Sequence, residues 1–286
     1  MKNNKNILIT GGAGFIGSNL AEKLENDGHN VISIDNYSFG KKENEVKNVK
    51  YINDDIENIH KIDEPIDICY HLGAKARVQP SFTDPVDYFR VNAKGTMEVM
   101  EWAKKKNVKV VYAGSSSKHF SPEDSPYAMY KYLGEQIIKL YKKSFNVKAE
   151  IARFYNVYGP KENRDEKFGN VIGIWTSKAM KGKSLPIVGD GMQRRDFTHV
   201  HDIVDGLIKI GFSNTFQEDG WELGTGNNYS VNELFEMFRH RFGAKSHLIP
   251  DQPGNYKKTL RKNDKLIELL DWCPKDQLSN HIKNLS

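Results

Sequence analysis

Tyr127 and Lys131 stand four residues apart within Tyr127–Lys142, a stretch whose apolar spacing predicts a helix, so their side chains share one face. A phenol of pKa about 10 is a poor base near neutrality. A neighbouring ammonium, assisted by the positive charge of an oxidised nicotinamide, favours the phenolate, and the same lysine could hold the nicotinamide ribose. Tyr and Lys at this spacing are common on exposed helices, so the pair acquires meaning only from its surroundings. Ser115-Ser116-Ser117 closes the strand-like run before that helix. Its hydroxyls would lie at the carboxyl end of a sheet, where open α/β proteins bind ligands, and could orient a substrate hydroxyl and stabilise the alkoxide left as its proton departs. A serine run that only satisfies turn amides is the competing reading.

A second group of residues suits a dinucleotide. Gly11-Gly12-Ala13-Gly14-Phe15-Ile16-Gly17 follows a predicted strand, opens a predicted helix and contains the GxGxxG spacing. Glycines there permit a tight turn and let the backbone approach a pyrophosphate, whose charge the free helix N-terminal amides stabilise. Asp35, 18 residues beyond Gly17 at the end of the second strand, can accept hydrogen bonds from both adenosine ribose hydroxyls. That placement favours NAD over NADP, although Lys41 and Lys42 nearby would suit a 2′-phosphate. An ordinary strand-end cap is the other reading of Asp35.

The elements that must position these groups follow from periodicity. Asn6–Thr10, Val31–Ile34, Ile66–His71, Val108–Ala113 and Lys148–Phe154 read as strands, alternating with helical patterns over Phe15–Asn26, Val86–Lys106 and Tyr127–Lys142. This is the pattern of a Rossmann-type, doubly wound α/β sheet. After Gly159 the alternation weakens into loop-rich text, which predicts a smaller C-terminal α/β substrate lobe. The expected division is 1–160 for the dinucleotide domain and 161–286 for the second lobe, with about 196–212 returning to the first. The chain has 286 residues, 38% hydrophobic and 28% charged, enough for a sizeable core. A net charge of +5, dispersed along the chain, does not indicate nucleic-acid binding. Cys69 and Cys273 lack metal or disulfide spacing, and no apolar run reaches membrane-span length, so a cytoplasmic protein without a structural metal is expected. His199-x-His201 lacks a convincing third ligand.

Taken in order, these segments resemble the extended short-chain dehydrogenase/reductase superfamily, specifically its NAD-dependent nucleotide-sugar epimerase/dehydratase family. The resemblance runs nearly the whole chain: Thr10–Ser18, Asp35-Asn36, Asp55-Ile56, His71-Leu72-Gly73-Ala74, Asn92, Gly95-Thr96, Ser125-Pro126-Tyr127 with Lys131, Arg153–Pro160, Gly189–Phe197 and Leu223–Gly226. It implies a catalytic set of Ser115, Tyr127 and Lys131. For NAD it implies Gly11, Gly14, Phe15, Ile16, Gly17, Asp35, Asn36, Leu72, Ala74, Asn92, Tyr127, Lys131 and Tyr155, with Asp55 and Ile56 at the adenine. For a nucleotide-diphosphate sugar it implies Ser115, Asn156, Asn170, Val188 and Arg195, whose guanidinium suits diphosphate oxygens. A homodimer through the 86–106 and 127–142 helices is implied as well.

Within that family the residues favour 4-epimerisation. Related 4,6-dehydratases usually carry Asp-Glu directly after the catalytic Thr, and UDP-glucuronate decarboxylases usually carry Glu at the second following position; Ser116 and Ser117 stand here instead. Hydroxyls do not readily replace those carboxylates. The chain also departs from its relatives. Lys118-His119-Phe120 replaces the usual Val-Tyr-Gly, and only 12 positions separate Ser115 from Tyr127, so a loop over the substrate is trimmed. A solvated His119, or alternatively one lining the pocket, is expected. Gln252-Pro253-Gly254-Asn255 lacks the charges of the family's Arg-Pro-Gly-Asp, which predicts weaker diphosphate binding or a different sugar nucleotide.

Overall fold

The computed structural model describes residues 4–262 and 265–285. Along the chain the strands are β1 (Asn6–Thr10), β2 (Asn30–Ile34), β3 (Lys50–Ile52), β4 (Ile68–His71), β5 (Lys109–Ser115), β6 (Ala149–Phe154), β7 (Asn156–Tyr158), β8 (Leu185–Val188), β9 (Arg194–His199), β10 (Trp221–Leu223), β11 (Asn228–Ser230) and β12 (Ser246–Ile249). Seven of them form one sheet in the order β10-β6-β5-β4-β1-β2-β3. Every pairing in it is parallel.

Strand β1 shows why its sequence is apolar at successive positions. Ile7 and Ile9 enter the core under the helices Phe15–Asn26 and Val200–Phe212, whereas Leu8 enters the core under Gly95–Lys106 and Pro126–Phe145. A strand covered on both faces has no solvent side to leave polar. The sheet order reverses about β1, with β2 on one side and β4 on the other. Their outgoing connections therefore diverge and leave a crevice at the carboxyl ends, where the glycine turn, Asp35 and Ser115 all lie.

After β6 the chain builds a second core from β7, β8, β9 and the helices Val171–Met180 and Val231–Phe242, with Trp175 and Phe238 at its centre. It comes back to the large sheet with the helix Val200–Phe212, and again beyond that helix. Strand β10 pairs with β6, and Leu270 and Trp272 join the first core. A six-residue strand beginning at Arg194 and a three-residue partner close the second lobe's small sheet, in which β9 lies parallel to β7 and antiparallel to β11.

Two local differences from the sequence reading matter. Strand β5 runs on to Ser115 instead of stopping at Ala113, so the first serine is itself the strand's last residue. The helix expected over Val86–Lys106 starts at Pro85 and carries a π-helical turn at Arg90–Lys94. Such a turn shifts the side chains that follow it.

Candidate active site

A cleft of about 1200 Å³ opens over the carboxyl ends of the central strands and is lined from both lobes. On its dinucleotide side stand Gly11, Gly14, Phe15, Ile16, Gly17, Asp35 and Asn36. Gly11 has φ of +75°, and a Cβ on Gly17 would lie 2.1 Å from the Gly11 carbonyl oxygen, so no other residue fits the turn as it stands. Gly14 starts the helix without a side-chain cap, leaving first-turn amides free for an anionic ligand. The Asp35 carboxylate accepts from the amides of Ala13 (2.9 Å) and Tyr37 (2.8 Å). Burial nevertheless pushes its pKa up, against the pull of those two amides. The strand-end capping role of Asp35 is thus visible, and each oxygen keeps a lone pair for a ribose hydroxyl.

Ile56, Leu72, Ala74 and Tyr155 also line the cleft, whereas Asp55 and Asn92 do not. Asp55 caps the turn Ile56–Lys61 and is drawn away by Arg90 (3.0 Å) and Asn36 (3.0 Å), so its carboxylate is committed to neighbours; Asp54 faces the cleft beside it. Asn92 is buried on the π-helical turn, where it accepts from the Lys75 amide (2.8 Å) and donates to the Lys75 carbonyl (2.9 Å). It shapes the loop after β4 and acts behind the cleft wall. The same loop is fixed by a directed chain. The Gly73 amide donates to Thr10 Oγ1, whose hydroxyl meets His71 Nδ1 at 2.8 Å. His71 Nε2 meets Thr96 Oγ1 at 3.1 Å, and Thr96 donates to the Asn92 carbonyl. Burial drives the His71 pKa down to about 3, with Lys131 adding repulsion, so the ring stays neutral and relays hydrogen bonds.

The three groups expected to do chemistry converge. Ser125 caps the helix Pro126–Phe145 by accepting from the Ala128 amide, with Pro126 at its first position, which sets Tyr127 in the first turn and Lys131 one turn later. Tyr127 Oη donates to Ser115 Oγ at 3.3 Å, and Ser117 also donates to Ser115 Oγ, from its amide (3.1 Å) and its hydroxyl (2.9 Å). With its acceptor side occupied, the Ser115 hydroxyl is left to donate outward. Lys131 Nζ donates to the Ala113 carbonyl at 2.8 Å and lies 5.0 Å from the centre of the Tyr112 ring. One of three ammonium hydrogens is thereby used, and two remain for a ribose. Burial pushes the Lys131 pKa down to about 8, opposed by Glu135. The phenol differs from expectation: burial pushes the Tyr127 pKa up, and the opposing pulls come from the Ser115 hydrogen bond and from Arg77, with Lys131 occupied elsewhere.

On the substrate side Asn156, Asn170, Val188 and Arg195 line the cleft. Arg195 forms no ion pair among the described residues, because Asp196 accepts instead from Thr225, Gly226 and Arg261. Its guanidinium donates to Asn255 Oδ1 and to the Arg194 carbonyl, and burial pushes its pKa down to about 10. Asn255 of the uncharged 252–255 segment thus orients Arg195. The trimmed loop puts His119 neither in solvent nor on the pocket wall. His119 Nε2 meets Glu222 at 3.1 Å, within a buried network in which Arg153 pairs with Glu135 and Glu222 and Tyr155 donates to Glu222 at 2.6 Å. Next to it Phe120 stacks on Tyr256, ring centroids 3.8 Å apart. Spacing gave no signal for Arg77, Phe168 or Tyr256, which all line the cleft. Among the described residues no cluster of His, Cys, Asp and Glu is placed to hold a metal ion, and no helix is long and apolar enough to cross a membrane.

Comparison with known proteins agrees with this geometry. The model of the NAD dependent epimerase/dehydratase family matches residues 7–215. A putative UDP-glucose 4-epimerase of Methanocaldococcus jannaschii is 34% identical, over 98% of this chain and 96% of the relative. UDP-glucuronic acid decarboxylase 1 of Danio rerio is 30% identical, over 96% of this chain and 70% of that protein. Among solved structures, UDP-glucose 4-epimerase of Thermotoga maritima with UDP-glucose superposes with a TM-score of 0.91 at 29% identity, covering 98% of this chain and 97% of that one. The Thermus thermophilus UDP-glucose 4-epimerase complex with NAD gives 0.88 at 27% identity, covering 98% and 97%. A glycine turn shaped for a pyrophosphate, a Ser-Tyr-Lys constellation at the carboxyl end of a parallel sheet, and a family model spanning most of the chain place this protein in the NAD-dependent epimerase/dehydratase family.

Proposed function

We propose that this protein is a nucleotide-sugar 4-epimerase working through a transient 4-keto sugar, with Tyr127 as the base. The observation that carries this reading is the Tyr127–Ser115 contact at 3.3 Å in a cleft whose lining carboxylates, Asp35, Asp54 and Glu166, are distant in role from it. Asp35 and Asp54 belong to the dinucleotide half, and Glu166 pairs with Lys178 at 2.9 Å. A 4-epimerase needs a base and a reversible two-electron acceptor but no second acid to expel water. Bound NAD would supply that acceptor, with Asp35 and the glycine turn holding its adenosine diphosphate half and Lys131 its nicotinamide ribose. Ser115 donates to the sugar O4 and steadies the negative charge that forms there. Tyr127 takes the O4 proton, and returns it after the ketone has turned over in the pocket. Arg195, Asn156, Asn170 and Val188 hold the nucleotide diphosphate.

UDP-sugars are the first substrates to test, because the named relatives act on them. Incubation of the purified protein with UDP-, GDP- and dTDP-sugars should give a product of unchanged mass and inverted C4. Loss of water, or consumption of added NADH, would reject epimerisation. Decarboxylation of UDP-glucuronate, the activity named for several relatives, is the second reading, and loss of CO2 would select it. A homodimer belongs to the same proposal, supported by Val86, Phe89, Met97 and Leu140, which remain exposed on the two helical stretches expected to pair. A reducing, cytoplasmic setting also belongs to it, supported by the free thiols Cys69 and Cys273.

A further inference from the structure

Three loops meet in front of the glycine turn. The first follows β2 and carries Phe39; its Gly40 lies against the Asp35 carboxylate, and its Lys41 amide donates to the Ala13 carbonyl at 3.0 Å. The second follows β4 and carries Arg77, just beyond Gly73, which packs on Gly11. The third is the strap 161–170 from the second lobe. It is tied at its start by Asn19 donating to the Pro160 carbonyl (3.0 Å) and by the Lys161–Glu22 pair, and at its end by Asn170, which caps the helix Val171–Met180. Phe168, two residues before the end of the strap, sets its ring edge-on to Phe39 with centroids 4.7 Å apart. Its carbonyl accepts from Arg77 Nε at 2.6 Å. Phe39, Arg77 and Phe168 all line the cleft.

A dinucleotide reaching from Asp35 to Lys131 must pass along the glycine turn, beneath this junction. Arg77 forms no ion pair among the described residues; its guanidinium donates to the carbonyls of Phe168 and Ala76. A guanidinium hydrogen-bonded only to carbonyls, with Glu162 acting on it at longer range, in the wall of the cleft that also holds the glycine turn, suits pyrophosphate oxygens as an added counter-charge. We propose that Phe168 and Arg77 form a latch that closes the strap over the dinucleotide pyrophosphate, so that the cofactor leaves only when the Phe39–Phe168 contact opens. The latch rests on the dinucleotide reading above and is indifferent to the fate of the sugar. Its purpose follows from recycling: an enzyme that reduces and reoxidises one cofactor within a turnover strands its ketone if the cofactor escapes between halves. Asn170 ends the same strap, so a nucleotide held by Asn170 would also hold the strap shut. Cofactor retention and nucleotide binding are then coupled, in both directions.

The test is the rate of NAD loss from purified holoprotein, followed by rapid gel filtration and assay of the NAD remaining, without and with UDP. Phe168→Ala and Phe39→Ala each remove one side of the aromatic contact, and each should speed release about tenfold. The double variant should be little faster than either, since one contact is lost in all three. Arg77→Gln should speed release as well, and should lessen its acceleration by salt. UDP should slow release from the unaltered protein and have little effect on Phe168→Ala. Thermal melts monitor folding, and Phe39→Ala serves if Phe168→Ala does not fold. Release from well-folded variants at the unaltered rate overturns the latch alone. Failure of the unaltered protein to bind NAD at all overturns the function proposed above.

Discussion

Replacing Lys131 with Met should stabilise the NAD-stripped protein while abolishing turnover. The ammonium is buried, 4% exposed, with one hydrogen bond to the Ala113 carbonyl and no ion pair among the described residues. Its pKa falls from 10.5 to about 8, chiefly because burial disfavours charge. At about 1.4 kcal/mol per pKa unit, keeping it charged at pH 7 costs the fold roughly 3 kcal/mol. Methionine removes that cost and forfeits a hydrogen bond worth about 1 kcal/mol, so a net gain of about 2 kcal/mol is expected. The sign with pH follows from a depressed folded-state pKa. Between pH 8 and 10.5 the unfolded chain binds the proton and the folded one does not, so the unaltered protein gains stability as pH rises through that window. The advantage of Lys131→Met should therefore shrink above pH 8, vanish at about pH 9.5 and give way by pH 10.5 to a deficit of about 1 kcal/mol, the lost hydrogen bond. Urea denaturation of both proteins at pH 7 and 9.5 measures it. A variant less stable than its parent at pH 7, or an advantage independent of pH, refutes the assignment of Lys131 as a charge held at a cost to the fold.

Two further outcomes follow from the geometry. Gly17→Ala places a Cβ 2.1 Å from the Gly11 oxygen, so the turn must open; NAD binding by titration should weaken at least tenfold, beyond any change in melting temperature. Arg153→Met leaves the buried Glu135 and Glu222 without their guanidinium and should cost about 3–5 kcal/mol in urea denaturation, with Glu222, the partner of Tyr155 and His119, losing its anchor.

The parts of this protein that the sequence exposes are those governed by local rules. β1 and the helix Phe15–Asn26 match their predicted bounds, because an apolar run ended by glycines and a 3.6-residue repeat are complete within a dozen residues. Ser125-Pro126 likewise announces the helix that sets Tyr127 and Lys131 one turn apart. What stays hidden depends on partners far along the chain. Strand β3 has only three residues at a sheet edge, too few for a periodic signal. Asp55 reads as an adenine contact until Arg90, 35 positions later, is seen to claim its carboxylate. His119 reads as a loop histidine until Glu222, 103 positions away, supplies its partner. The shortened loop is the clearest case. Counting residues shows that the loop is short, but the stack of Phe120 on Tyr256 joins two segments no spacing rule connects. Local sequence therefore specifies the chemical groups at the carboxyl end of the sheet, while the shape of the pocket around the sugar is set by long-range contacts. For that reason the residues that decide which sugar enters are better sought in Asn255 and in Tyr256, with Phe120 stacked on it, than in the Ser-Tyr-Lys set.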